Sequence, residues 1–330
     1  MTTNTMKAII ATGYGSPSVL ELRNITLPAL KPNEVLVKIK NTTVSQADAM
    51  MRTGKPYLGR LMLGLFKPKN QVWGTSFAGT IERLGSEVTN FKIGDRVFGE
   101  NADSFGAYAE FIKVPADGTV LLLPDSIDFD EAAGMGDGPL TSLNFLRNVS
   151  GGIKAGQKVL INGASGSLGS AAVQIAKQLG AEVTGVCSTR NLGLVKSLGA
   201  DHVIDYTKQD FTRSGKTYDL IYDTVGKRTY SDCKSALTHN GQYLSPVLNF
   251  KLLLQMMWTS AFSSKKAKFA ATGLLKAPET KVLLAEIIDL IKEGRLKTVI
   301  DRQYPLEKIQ EAHSYVSVGH KKGNVLIAVQ

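Results

Sequence analysis

The sequence predicts an α/β fold in which a doubly wound parallel sheet is joined to an irregular β domain. Three observations carry that expectation. From Gly156 onward, short apolar runs alternate with amphipathic ones, the texture of strand–helix units in a parallel sheet. The first of those strands runs into three glycines spaced by three, and then into a helix of small residues. Before Pro124 the chain is punctuated by Gly and Pro and has strand-like alternation without the intervening helices.

Taken in order, Met6–Ala11 is a short apolar run and Gly13-Tyr14-Gly15-Ser16-Pro17 a turn cluster. Over Glu34–Lys40, Val35, Val37 and Ile39 alternate with Leu36, Lys38 and Lys40, which suits a strand with one face buried. Gly74–Leu84 and Asp95–Gly99 have similar texture. A helix is expected over Ser126–Gly134, with Ser126 as N-cap and acids in the first turn. Strands are then expected at Lys158–Asn162, Glu182–Val186, His202–Asp205, Leu220–Asp223 and Gln242–Ser245, with helices at Ser167–Leu179 and Leu192–Leu198. A strongly amphipathic helix follows Pro278, over Glu279–Glu293, and stops at Gly294. Ile309–Val316 reads as a helix and Asn324–Val329 as a closing strand.

A chain of 330 residues suits two domains better than one core. Its 43% hydrophobic and 21% charged residues are those of a globular protein. Cys187 and Cys233 are the only cysteines, which excludes a disulfide framework and a four-thiolate zinc site. Met1–Lys7 is polar, and no run of about 18 apolar residues exists, so neither a signal peptide nor a membrane span is expected. The best apolar stretch, Leu252–Trp258, is too short and is followed by Lys265, Lys266 and Lys268. A cytoplasmic location is the expectation. The net charge of +10 is spread along the chain, and its densest cluster, Lys265–Lys268, has no aromatic stacking platform. That reads as a solvated basic surface and gives no nucleic-acid partner. A positive field would also suit a ligand carrying several phosphates.

The chemistry sits in Val159-Leu160-Ile161-Asn162-Gly163-Ala164-Ser165-Gly166-Ser167-Leu168-Gly169. Gly163 lets the chain turn off the strand. Gly166 has no Cβ, so a pyrophosphate can approach the backbone, and Gly169 lets the helix pack close to the sheet. The N-terminal N–H groups and dipole of that helix then meet phosphate. Ala164, Ser165, Ser167 and Leu168 complete the candidate cradle. At the end of the next strand, NAD enzymes place an acid for the ribose 2′-hydroxyl. Here the chain reads Cys187-Ser188-Thr189-Arg190-Asn191, with no acid in that stretch. Ser188 and Thr189 offer hydroxyls and Arg190 a phosphate partner, so NADP(H) is the expected cofactor.

With those residues in view, the chain resembles the medium-chain dehydrogenase/reductase superfamily, in its zinc-free quinone oxidoreductase-like branch. The resemblance covers nearly the whole length. It rests on Tyr14-Gly15-Ser16-Pro17 with Val19-Leu20, on Pro32–Lys38, and on Gly79–Val97 with Gly85, Val88, Phe91, Gly94, Asp95 and Val97. Ala172–Lys177, Leu198–Asp201 and Ile204-Asp205-Tyr206 extend it. It implies a GroES-like β-barrel domain with a Rossmann domain inserted in it. The expected division is 1–127 for the first part of the GroES-like domain, 128–273 for the Rossmann domain, and 274–330 for the return. The family implies an active site in the cleft between the two. It also implies that Tyr206 lies near the 2′-phosphate and Thr141 near the nicotinamide.

Zinc-dependent relatives carry a Cys in the segment corresponding to Thr43–Asp48 and a His-Glu pair after a glycine like Gly74. This chain has Thr43-Val44-Ser45-Gln46-Ala47-Asp48 and Gly74-Thr75-Ser76-Phe77-Ala78-Gly79, with no thiolate or imidazole in either, so no metal is expected. Without a Lewis acid, hydride delivery from NADPH to an already electrophilic carbon is the natural chemistry. Quinones and activated C=C bonds, as in 2-alkenals and enones, fit, so the partner is a small apolar electrophile. Two other readings stay open: a metal-free alcohol or aldehyde oxidoreductase, and a non-catalytic NADPH-binding module. Ser45 stands where family members often carry Asn, while Asp48, Arg52 and Gly54 are retained; Asp48 and Arg52 are expected to brace a loop. Ser45 and Tyr57 are the candidate catalytic groups, Tyr57 as proton donor or gating aromatic. The apolar residues of Leu58–Lys69 and Leu248–Trp258 are candidates to line the substrate site. Gly323-Asn324 replaces the family's usual Gly-Lys. The family is often dimeric, and a Rossmann sheet edge can mediate a homodimer.

Overall fold

A computed structural model describes residues 4–55 and 57–329, which form two compact units. Of the described residues, one comprises those within 4–137, 273–292 and 300–329; the other comprises 138–272 and 293–299. The division thus falls ten residues later than the expected boundary after 127, since 137 − 127 = 10, and the short segment 293–299 rejoins the inserted unit.

The first unit opens with β1 (Thr5–Ala11) and β2 (Leu20–Thr26), an antiparallel pair with Ile9 opposite Leu22. Next comes β3 (Glu34–Val44), longer than the alternation indicated. Val35, Val37 and Ile39 are fully buried as expected, but so is Leu36. The strand is the hub of its sheet, pairing with three others, and its side chains are buried on both faces. Ser45 ends it and caps α1 (Gln46–Thr53), which stops at Gly54 in the left-handed region with φ of 63°. Then follow β4 (Ser76–Leu84), β5 (Arg96–Glu100), β6 (Phe111–Pro115) and β7 (Val120–Leu122), all antiparallel to their neighbours. The expected helix near 126 is α2 (Phe129–Gly134), and its N-cap is Asp128, which accepts from the Glu131 N–H; Ser126 lies outside it. The Ile127 N–H closes a turn onto the Pro124 carbonyl, which delays the helix.

The second unit begins with α3 (Gly138–Leu143) and then alternates as expected: β8 (Lys158–Asn162), α4 (Ser167–Gln178), β9 (Glu182–Cys187), α5 (Leu192–Ser197), β10 (His202–Asp205), β11 (Tyr218–Asp223), β12 (Leu237–Leu244), α6 (Phe250–Phe262) and β13 (Lys266–Lys268). All six strands are parallel, in the order β10-β9-β8-β11-β12-β13. Numbered within the unit this is 3-2-1-4-5-6, the doubly wound dinucleotide-binding order, with its switch point between β8 and β11. The lysine cluster read as plain basic surface contains β13, whose Ala267 is buried between partly exposed Lys266 and Lys268. Helix α6 was legible only as an apolar stretch. It is a surface helix capped by Asn249, with Phe250, Leu253, Met257 and Phe262 exposed. Among the described residues no helix is long and apolar enough to cross a membrane.

The chain returns to the first unit with α7 (Ala277–Lys292), β14 (Ile300–Pro305), α8 (Ile309–Val318) and β15 (Asn324–Ala328). β15 pairs antiparallel with β3 and parallel with β14, which completes the seven-stranded sheet. Pro278 sits inside the first turn of α7, where its missing N–H costs nothing.

Candidate active site

At the end of β8 the chain turns at Gly163, whose φ is 82°, and both the Gly163 and Ala164 N–H groups donate to the Val186 carbonyl at the end of β9. A side chain at Gly163 would also strike Thr224 and Val225, at 2.6 and 2.5 Å. At Gly169 a Cβ would lie 2.1 Å from the Gly163 carbonyl oxygen and 2.7 Å from the Ala164 Cα. Those two glycines are required by the fold itself. Gly166 is different. Its φ of −77° and ψ of −179° suit any residue, and its Cβ would meet only the Gly163 carbonyl, at 3.5 Å. No protein atom demands a glycine there, and the space in front of its backbone is open. Gly166 is also the N-cap of α4, with no side chain capping the helix and no acid in its first turn. A helix that starts so is suited to an anion.

Neighbouring elements fix this turn. Ser142 of α3 donates its hydroxyl to the Leu168 carbonyl at 2.7 Å, which ties the helix carrying partly exposed Thr141 to the turn. A Cβ at Gly138 would lie 2.5 Å from the Ser167 carbonyl oxygen. Asn191, 4% exposed, donates to Ser165 at 2.9 Å and Ser188 at 3.3 Å, and so joins the turn to the end of β9. Nothing in the residues around it singles out Asn191.

Around Ser188 the structure adds an acid from a neighbouring strand. The stretch after β9 has no acid, but β10 brings one: Asp205 lies opposite Cys187 in register. Its carboxylate accepts from the Thr189 hydroxyl and from the N–H and hydroxyl of Thr207, and the Thr189 bond above all holds it below the usual carboxylate range. The Thr189 hydroxyl is therefore engaged by a carboxylate. Arg190 and Tyr206 lie beside it on the surface, Tyr206 52% exposed.

Across the switch point, Asp223 ends β11 fully buried. It accepts from Asn162 at 2.8 Å, from the Val225, Gly226 and Arg228 N–H groups at 3.2 Å each, and from Tyr243 at 3.0 Å. Five donors on one carboxylate fix the loop facing the glycine turn. An acid closing an apolar strand was a legible signal for it.

The catalytic candidates Ser45 and Tyr57 belong to the other unit. The Ser45 hydroxyl is committed: it donates to Asp48 at 2.6 Å and accepts from the Asp48 N–H at 3.1 Å, a capping box. Tyr57 is 66% exposed, with the Arg60 guanidinium 4.9 Å from its ring centre. Arg52 does brace a loop, donating to the Gly15 carbonyl and, at 3.0 Å, to Ser317. The two apolar segments lie in separate units; Leu61, Leu65 and Phe66 are exposed, and the side chains of Leu58 and Met62 fall outside the described residues.

The first unit also holds a group of buried ionisable side chains. Ser76 donates to the Glu100 carboxylate at 2.6 Å, and burial pushes that carboxyl up to about 8 despite the bond. Burial pushes Asp48 up to about 6, and the charge of Asp137 adds to it. Lys321 and Arg52 are held below their ordinary values by burial. His313, fully buried against the edge of Tyr108, is driven down to about 3 by burial and by Arg52, and is neutral. In the segments where zinc-dependent relatives place ligands, this chain offers the hydroxyls of Ser45, Thr75 and Ser76. Among the described residues no three His, Cys, Asp or Glu side chains are arranged to hold a metal ion.

Residues 31–125 match the alcohol dehydrogenase GroES-like domain and residues 198–327 the family described as zinc-binding dehydrogenase. The chain is 32% identical to a chloroplast envelope quinone oxidoreductase homolog of Arabidopsis thaliana, over 98% of each chain. It is 29% identical to an NADPH-dependent alkenal/one oxidoreductase of the same plant, covering 98% of this chain and 79% of that one. Among solved structures, quinone oxidoreductase from Escherichia coli complexed with NADPH superimposes with a TM-score of 0.84 at 26% identity, covering 98% of this chain and 100% of that one.

Proposed function

The chain belongs to the medium-chain dehydrogenase/reductase superfamily, in its zinc-independent quinone oxidoreductase-like branch, and on that premise we propose that it is an NADPH-dependent reductase acting on a quinone or on a C=C bond conjugated to a carbonyl. The observation that carries the reading is Gly166: an uncrowded glycine at the uncapped start of α4, where only a ligand needs the space. The residues fit the cofactor. Gly163–Gly169 would hold its pyrophosphate on backbone N–H groups. Ser188 and Arg190 would take the 2′-phosphate, with Tyr206 beside them, and Thr141 would lie toward the nicotinamide. When bound, NADPH supplies the hydride. The chain's own contribution is to orient cofactor and acceptor and to exclude water.

The names of the relatives, one a quinone oxidoreductase and one an alkenal/one oxidoreductase, support this acceptor class. Two free, buried cysteines support a reducing compartment such as the cytoplasm. The homodimer of this reading would form at the edge of the six-stranded sheet, where β13 is the terminal strand. The test is consumption of NADPH with a quinone, a 2-alkenal and a simple aldehyde in turn. Turnover of the first or second is expected. Turnover of the aldehyde alone would favour carbonyl reduction, and saturable NADPH binding without any turnover would favour a binding module.

A further inference from the structure

Helix α6 (Phe250–Phe262) is apolar on both of its sides, and its one charged residue is Lys251. The inner side is accounted for. Leu252 and Met256 pack into the core beneath the parallel sheet. The Thr259 hydroxyl accepts from the Ala267 N–H of β13 at 3.1 Å, and Gln255 donates to Ser231 at 2.7 Å. The outer side is not. Phe250, Leu253, Leu254, Met257, Trp258 and Phe262 recur at three- and four-residue steps and form one stripe, each between 42% and 76% exposed. Single exposed apolar residues are ordinary on a protein surface, but six on one stripe mark a surface that meets something. The frame around the stripe is positive. Cys233–Thr272 holds five lysines and no acid. Lys266 donates to the Thr259 and Ser260 carbonyls, at 2.8 and 3.1 Å, and so closes the end of the helix with a cation. The Lys234 ammonium lies 5.4 Å from the centre of the Trp258 ring, and Lys251 is exposed in the first turn. The acid next to this stretch, Asp232, is taken up by Thr229, whose N–H and hydroxyl both donate to it.

We propose that the outer face of α6 docks the protein on the surface of a bilayer that contains anionic phospholipid. The inference goes beyond the reductase reading and does not depend on it. At 1.5 Å per residue a helix of 13 residues is roughly 20 Å long, short of the hydrocarbon core of about 30 Å, so it lies along the surface rather than crossing. In that pose the stripe enters the boundary between headgroups and acyl chains, with Trp258 and the two phenylalanines as anchors, while the lysines meet lipid phosphates. Charge decides between this occupant and a second copy of the chain. Two copies packed stripe to stripe would set these lysines against their own kind. An anionic surface neutralises them, and each lysine near it favours binding by roughly five-fold.

The test is flotation of the full chain with vesicles of phosphatidylcholine alone and of phosphatidylcholine with phosphatidylserine at about three to one. The protein should float with the mixed vesicles, far less with the neutral ones, and less again as salt is raised. Trp258 reports the contact directly, because the other tryptophan, Trp73, is 4% exposed. Its fluorescence should shift to the blue on the mixed vesicles and be quenched by brominated acyl chains, and Trp258→Phe should lose both signals. Phe250→Ser combined with Phe262→Ser should weaken binding by roughly 10-fold or more. That variant should melt with the parent, since both side chains are mostly in solvent. Lys234→Glu with Lys251→Glu should remove the preference for phosphatidylserine. The proposal is overturned if the parent floats with neither vesicle, if it floats equally with both, or if the double serine variant floats as the parent does. It is overturned in favour of a second copy if sedimentation shows a parent dimer that the double serine variant dissolves and the parent has no affinity for the mixed vesicles.

Discussion

Replacing Gly166 by alanine separates the demands of the ligand from those of the fold. The backbone there is extended, at φ −77° and ψ −179°, so alanine adopts it without strain. Its methyl carbon meets one protein atom, at 3.5 Å, which is ordinary contact. The change should leave the melting temperature close to the parent's, because alanine restricts the unfolded chain by about 0.4–1 kcal/mol and caps a helix less well than glycine by a similar amount. The same substitution at Gly169 puts a carbon 2.1 Å from the Gly163 oxygen and 2.7 Å from the Ala164 Cα, and backbone must move. Overpacking of that kind costs at least about 1–3 kcal/mol. For NADPH the order reverses in interest. A methyl at 166 stands where the pyrophosphate meets the backbone, and displacing it forfeits at least one charge-assisted hydrogen bond, worth about 1.5–3 kcal/mol. That corresponds to roughly 10- to 150-fold in Kd. The assay is titration of NADPH fluorescence alongside thermal melts of parent, Gly166→Ala and Gly169→Ala. A Gly166→Ala protein that melts as the parent and binds NADPH as tightly would refute the assignment of the turn as phosphate cradle.

Other substitutions probe cofactor choice and the buried charges. Arg190→Ala should weaken NADPH by roughly 10-fold or more and leave NADH unchanged, since only the former carries the 2′-phosphate. Asp205→Asn, measured the same way, should tighten NADPH by roughly three-fold, a small effect because the group is exposed and screened. Glu100 rises from 4.5 to about 8 on folding, so its contribution to stability is full below pH 4.5 and is lost as pH climbs through 8. At 1.36 kcal/mol per pH unit, 3.5 units give an upper bound of roughly 5 kcal/mol, and chemical denaturation at pH 5 and 9 should show Glu100→Gln gaining on the parent at the higher pH. His313 is shifted the other way, from 6.5 to about 3, and stays neutral in the fold while the unfolded chain protonates. Stability should therefore fall as pH drops from 6.5 toward 3, and His313→Leu should flatten that limb in urea titrations.

How far the sequence could be read follows from how local each signal is. The Gly163–Gly169 turn was legible because its strand, glycines and helix are contiguous, and the helix does start at Ser167 as read. The strands of the second unit were legible because a parallel sheet covered by helices demands short apolar runs. Ser126 was the wrong cap because Asp128 competes two residues later and the turn at Pro124 decides between them. Asp205 and Asn191 were missed for a different reason. They reach Thr189 and Ser188 through β-pairing and through a 3₁₀ turn, and neither contact is written in the spacing of the residues around Arg190. Glu100 and Ser76 lie 24 residues apart and meet only because β4 and β5 pair with Ser76 opposite Glu100, a contact that no local spacing announces.

The most direct test of hydride transfer from a cofactor held on the glycine turn is the fate of a label. NADPH deuterated at C4 of the dihydronicotinamide would be incubated with the protein and a 2-alkenal, and the product analysed by mass spectrometry and NMR. One deuterium on the β-carbon is the predicted result, with the rate of labelling falling in Gly166→Ala in step with its weaker NADPH binding. A reduced product free of deuterium, or labelling that Gly166→Ala leaves unchanged, would contradict the account.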